Sequence, residues 1–210
     1  MGTERMNGEH SNLFRPSAKF GTDIELMLNA MGSIATKDST YVATPITGGQ
    51  RFVDWYCNGG KSIQDASFYR KQMSEYVIKP NTEDANRLVH SLRNSSCGLF
   101  INPASLYVPH WGQDDYRHFW SLVIESFASR VILSTGWHLS IGCIYELLVS
   151  IQLGLPIFTP YGEPMEYSYA IELANEGGLQ LGHVGQSCDF LDQVLERLTN
   201  NADNLGARRC

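Results

Sequence analysis

The stretch "RVILSTGWHLSIGCIYELLVSIQLGLPIF", Arg130–Phe158, decides the fold of this chain. It opens on a short continuous apolar run, turns through a segment containing Gly136 and Ser140, and becomes helical over 141–153. A second short apolar run, "LPIF", closes it. Strand, helix and strand in that order, with fully apolar strands, predict a parallel sheet covered on both faces. Inside the apolar helix sits one acidic residue, Glu146. Its neighbours Ile144, Leu147, Leu148, Val149 and Ile151 leave little of the helix for solvent, so the carboxylate is expected to point into a cleft.

The same alternation extends outward in both directions. "TYVAT", Thr40–Thr44, reads as a strand that Pro45 stops, and "PITGGQRF" follows as a glycine loop opening into a helix. "EDANRLVHSLR" carries helical period, "GLFIN" reads as a strand, and "DDYRHFWSLVIESFA" as an amphipathic helix. Two further helices are expected around 165–176 and 188–199. Residues 1–38 read as a mobile arm with one helix around "DIELMLNAMG", and 201–210 as a tail. The expectation is one α/β domain over 39–200, a Rossmann-like parallel sheet of four to five strands with helices on both faces.

Bulk properties bound the function. The chain has 210 residues, 43% of them hydrophobic and 18% charged, enough to bury a core and too apolar for a disordered segment. A net charge of −6 gives no electrostatic footprint for a nucleic acid polymer or an anionic membrane. A small phosphorylated ligand, which needs only a local anion site, is not excluded by it. No apolar stretch reaches the length of a membrane span, and the N-terminus lacks the apolar core of a secretory signal. Five scattered cysteines, none in a CxxC, read as reduced thiols of a cytoplasmic protein. The six histidines show no metal-ligand spacing, so no metal and no cofactor is expected.

In open parallel sheets the ligand crevice lies beyond the carboxyl ends of the strands. Two loops occupy such ends. In the first, Pro45, Ile46, Thr47, Gly48 and Gly49, the paired glycines let backbone approach a ligand, while Thr47, Gln50 and Arg51 add donors. In the second, Ser140 is placed as an N-cap, and the N–H groups of Ile141, Gly142 and Cys143 start a helix in a geometry that favours phosphate. A Gly-Gly turn also serves as a plain connector, and a Ser cap also serves only its helix. Trp137 and His138 beside the second loop, with Tyr107 and Trp111 in the preceding one, are placed to stack on a nucleobase or to pack the edge of the core.

"YVATPITGG" resembles the strand-and-glycine-loop opening of the nucleoside 2-deoxyribosyltransferase-like superfamily, and "GWHLSIGCIYELLVSIQLGLPIF" resembles its S-x-G-x-x-x-E…G-x-P segment. "INPASLYVPHW" followed by "YRHFW" is similar to an uncharacterised branch. The likeness spans roughly residues 40–160. It implies that Glu146 is the nucleophile toward the anomeric carbon of a (deoxy)ribose, that Tyr41 orients its carboxylate, and that Ser140 and Gly142 hold a 5′-phosphate. It also implies a homo-oligomer, because related enzymes complete their sites across subunits.

Where the family carries aspartates ahead of the nucleophile, this chain has Ser121 and Ser129. Asp115, His118 and Glu125, spaced to share one face of the helix 114–127, are the candidates for protonating a departing base; a solvated helix face is the other reading. Asp115 is the one carried as catalytic. "YGEPMEYSY", Tyr161–Tyr169, reads as a lid or a subunit contact. The functional expectation is an N-glycosidase acting on a nucleoside 5′-monophosphate, with a deoxyribosyltransferase, an NAD-type glycohydrolase, a nucleotide sensor and an interaction scaffold as alternatives.

Overall fold

The computed structural model describes residues 21–207. Five strands form one sheet in the order β2-β1-β3-β4-β5: β1 Ser39–Ala43, β2 Phe100–Ile101, β3 Ala128–Leu133, β4 Ile157–Phe158 and β5 Pro164–Met165. β1 to β4 pair in parallel, and β5 returns antiparallel to β4 at the edge. The fold is α/β and Rossmann-like, as the strand–helix alternation predicts. The antiparallel edge strand went unread in the sequence because two residues including Pro164 carry no strand signature.

Side-chain alternation along β1 divides the core. Tyr41 and Ala43 join the larger cluster with helices α1 (Gly21–Gly32), α5 (Gln113–Phe127), α6 (Ile141–Gln152), α7 (Tyr167–His183) and α8 (Asp189–Ala207). Val42 points the other way, into a smaller cluster with Phe100, Ile132 and Val89 of α4 (Lys79–Ser95). The sequence places residues 21–38 in a mobile arm, yet Ile24 and Ala35 are buried in the larger cluster, so this segment belongs to the domain. Residues 1–20 of that expected arm lie outside the described residues. At the other end, α8 runs to Ala207, past the boundary expected at 200.

Helix α6 is apolar on nearly all sides, as a helix enclosed by others must be, and Gly154, at φ 68°, ends it with the left-handed residue such termini favour. Helices α2 (Gln50–Cys57) and α3 (Ala66–Met73) precede α4, and α3 continues into it through a π-helical turn, Ser74–Ile78. Pro80 has no N–H to offer its own preceding turn. The Lys79 N–H reaches back five residues to the Ser74 carbonyl, and the helix passes the proline instead of breaking.

Two glycines decide how α7 packs. The sequence predicts a helix ending near 176, before Gly177-Gly178, but the helix continues to His183. A Cβ on Gly177 would lie 1.9 Å from the His138 carbonyl oxygen, and one on Gly178 would lie 2.4 Å from a methyl of Leu195 in α8. These glycines allow close approach and do not terminate the helix. Gly177→Ala is expected to destabilise the protein by about 1–3 kcal/mol, since backbone must move to make room. Gly182→Ala, on the same helix with nothing within 4 Å of the added methyl, should stabilise by up to about 1 kcal/mol. Urea midpoints of the two variants check both signs.

Candidate active site

The loops after β1 and β3 meet at the carboxyl end of the sheet. The Gly49 N–H donates to the Leu139 carbonyl at 2.8 Å. A Cβ on Gly48 would stand 3.1 Å from both that oxygen and Ser140 Cα. Gly49 itself has φ 80°, with Pro45 2.8 Å from where a Cβ would sit, so glycine is required there on two counts. From α4, the buried Asn81 side chain donates to the carbonyls of Ile46 at 3.1 Å and Gly48 at 3.0 Å, which holds the loop in place. Sequence reading missed Asn81. A single Asn in a helical stretch carries no signal of the loop 35 residues earlier that it fastens.

Glu146 and Tyr41 come together beneath these loops. The Tyr41 hydroxyl donates to Glu146 Oε1 at 2.7 Å, with Tyr41 fully buried and Glu146 9% exposed. Glu146 Oε2 has no hydrogen-bond partner. Burial pushes the carboxyl up to about 8 from its ordinary 4.5, against the opposing hydrogen bonds from Tyr41 and, more weakly, from the Cys143 thiol. Burial likewise raises the Tyr41 hydroxyl and the Cys143 thiol, each raised further by the nearby Glu146 charge. Cys143 was absent from the sequence expectations for chemistry, although its place one helical turn before Glu146 puts it on the same face.

Ser140 starts α6, but its side chain makes no capping bond. Its hydroxyl lies by the Cys143 thiol and draws that pKa down, against the larger effect of burial, which raises it. The first turn of α6 thus keeps its N–H groups unclaimed by a side chain, next to a half-buried Gly142 whose nearest neighbour across the missing Cβ is Ser140 Oγ at 3.9 Å. Pro45, Ile46 and Thr47 are half-buried along the same rim.

Other expected site residues lie elsewhere or in different roles. Arg51 forms an ion pair with Asp84 of α4 at 2.5 Å, which also binds Arg87, so its guanidinium is engaged on the surface. Trp137 is 3% exposed within the larger core cluster and has no open face for stacking on a base. His138 is half-buried against α7, and burial lowers its pKa, partly countered by Glu176. Trp111 is enclosed edge-on by Tyr116 and Phe119, with ring centroids at 5.2 and 5.3 Å, which also precludes stacking, whereas Tyr107 is 82% exposed.

Asp115 is buried, and its Oδ2 accepts the Gly112 N–H at 2.9 Å, fixing the start of α5. His118 is half-buried nearby, its pKa lowered by burial and raised in part by Asp115. Glu125 is exposed near the far end of α5, ten residues along the helix from the buried Asp115. Ser121 donates to the His118 carbonyl at 2.7 Å and Ser129 to the Ser39 carbonyl at 3.4 Å, both structural bonds. Tyr161 is 85% exposed at the β4–β5 turn. Among the described residues no group of His, Cys, Asp and Glu is arranged to hold a metal, four cysteines are free, and no helix is long and apolar enough to cross a membrane.

The raised Glu146 carboxyl has a consequence for stability. Below pH 4.5 both folded and unfolded chains hold the proton. Between 4.5 and about 8 the folded state keeps a proton the unfolded state has lost, so stability falls as pH rises through that window and levels off above it. Glu146→Gln removes this titration. The melting temperature of the variant minus that of the wild type is expected to grow from pH 5 to 8 and then plateau, as calorimetry across pH would read. The chain matches no family model, no curated protein and no solved structure.

Proposed function

We propose that this protein is an N-glycosidase that splits the base–sugar bond of a nucleoside 5′-monophosphate or a related nucleotide, with Glu146 as nucleophile. The observation that carries the reading is the buried Tyr41–Glu146 bond, which fixes one carboxylate oxygen at 2.7 Å and leaves the other without a partner under the loops at the strand ends. A carboxylate held by one oxygen and open at the other suits attack on a glycosidic carbon.

In the proposed reaction Glu146 Oε2 forms a bond to the anomeric carbon while the C–N bond breaks, its electron pair leaving with the base, which takes up a proton. Water then attacks the glycosyl ester and returns the free carboxylate. A phosphate against the uncapped first turn of α6 would place the sugar over the carboxylate. An acceptor base in place of water would make the protein a deoxyribosyltransferase, and a dinucleotide substrate an NAD-type glycohydrolase. The proposal includes a homo-oligomeric, cytoplasmic enzyme of small-molecule nucleotides.

A second reading has its own observation. With a carboxyl that titrates near 8, most of Glu146 is protonated at neutral pH, which favours a nucleotide-binding sensor of weak activity. Base release from ribo- and deoxyribonucleoside monophosphates, nucleosides and NAD, followed by liquid chromatography and mass spectrometry, separates the two. For the enzyme, Glu146→Gln should lower the rate by more than about a thousandfold, and Tyr41→Phe by roughly ten- to hundredfold, the worth of one hydrogen bond to a charged group. The wild-type kcat/KM should rise with pH through about 8, because the ionised carboxylate is the nucleophile. Nucleotide binding without release from any substrate would establish the sensor instead.

A further inference from the structure

Helix α5 ends where the strands begin: Phe127 passes directly into β3, whose Ala128 is paired with Ser39 at the start of β1. The first turn of α5 therefore lies at the carboxyl ends of the strands, the same end at which α6 starts after β3. From that rim an aromatic wall descends along the Tyr41 face of the sheet. Trp111 packs edge-on against Phe119, Phe119 against Trp120 at 4.8 Å, and Trp120 against Tyr41 at 6.0 Å. Glu146 is bonded to the lower end of this wall.

At the upper end two polar atoms are buried without partners, the indole Nε1 of Trp111 and Oδ1 of Asp115. Their residues are 9% and 6% exposed. Both are rigidly held: the Trp111 ring by Tyr116 and Phe119, and the Asp115 carboxylate by the Gly112 N–H on its other oxygen. A buried donor or acceptor left unmet costs about 1–3 kcal/mol, so unpaired buried groups are uncommon and point to a partner supplied from outside the chain. An indole N–H offers only a donor. The carboxylate oxygen offers an acceptor. Trp111 stands just before the Gly112 cap of α5 and Asp115 in its first turn, so the unmet donor and the unmet acceptor belong to the same end of one helix.

We infer that Trp111 and Asp115 form a recognition site for the polar edge of a nucleobase, the cis-amide or amidine edge that carries one donor and one acceptor side by side. The inference rests on the proposed nucleotide reading and assigns the base to the α5 side of the crevice, opposite the phosphate at α6. It gives Trp111 a part played by its N–H edge and not by its face.

Binding is tested by titration calorimetry on the full chain with hypoxanthine, adenine, uracil and cytosine, with 9-methylpurine, which lacks the donor half of the edge, and with ribose 5-phosphate. Trp111→Phe removes the N–H and keeps the ring, and Asp115→Asn puts a donor where an acceptor stood. At least one of the four edge-bearing bases should bind wild type more tightly than 9-methylpurine, and should lose about tenfold in affinity in each variant. Ribose 5-phosphate binding should not change. Base affinity untouched in both variants, or ribose 5-phosphate weakened as much as base, would overturn this site while leaving the glycosidase reading standing. Failure of the wild type to bind any base, ribose 5-phosphate or nucleoside monophosphate would overturn both. Melting curves show whether each variant is folded, and Trp111→Phe, which preserves ring packing, carries the test if Asp115→Asn unfolds.

Discussion

The hydrogen bond between Tyr41 and Glu146 joins β1, an inner strand of the sheet, to the most enclosed helix among the described residues. A carboxyl taken out of water is costly unless it is bonded or protonated, and here one oxygen is met by a phenol while the other is not. The surroundings are built to keep it so. Tyr41 is fixed by β1 and by Trp120; α6 is fixed on all sides by apolar contacts, and its start is fixed by the glycine loop and Asn81. Without those supports, rotation of α6 or a shift of β1 would let the carboxyl find water and its ordinary pKa. The strained chemical state of one side chain is thus a product of packing that extends across most of the domain.

How much of this could be read beforehand varied with the range of the interaction. The strands and helices around 130–158 were legible because apolar runs and helical period are local signals, and the expected boundaries of α5 and α6 agree with the structure to about a residue. Glu146 stood out as a lone acid in an apolar helix, and Tyr41 entered through family resemblance. Longer-range features were not legible. Gly177 and Gly178 resemble a helix stop in sequence, and only the proximity of His138 and Leu195 explains them. Arg51 looks like a ligand donor until Asp84, 33 residues away, takes it. Trp137 has the composition of a binding loop and the burial of a core residue. Asn81 lacks any local mark because its partners define it.

The glycines at the two strand-end loops and in α7 belong to one mechanical unit. Gly48 and Gly49 bring the first loop against Leu139 and Ser140, and Gly177 brings α7 against His138 from another side. The segment from Trp137 to Ser140 is therefore clamped between a loop and a helix through backbone contacts, with almost no side chain intervening. Backbone against backbone has little capacity to yield. This rigidity positions the first turn of α6 independently of what binds there.

The sheet ends, on both sides, in strands of two residues, β2 and β5, and the latter carries Pro164. Such edges present too few free N–H and C=O groups to recruit another strand, and proline withholds one of them. Sheets of this kind do not extend from one molecule into the next. The hydrogen-bonding edge that drives fibrillar aggregation in longer open sheets is reduced here to a pair of stubs.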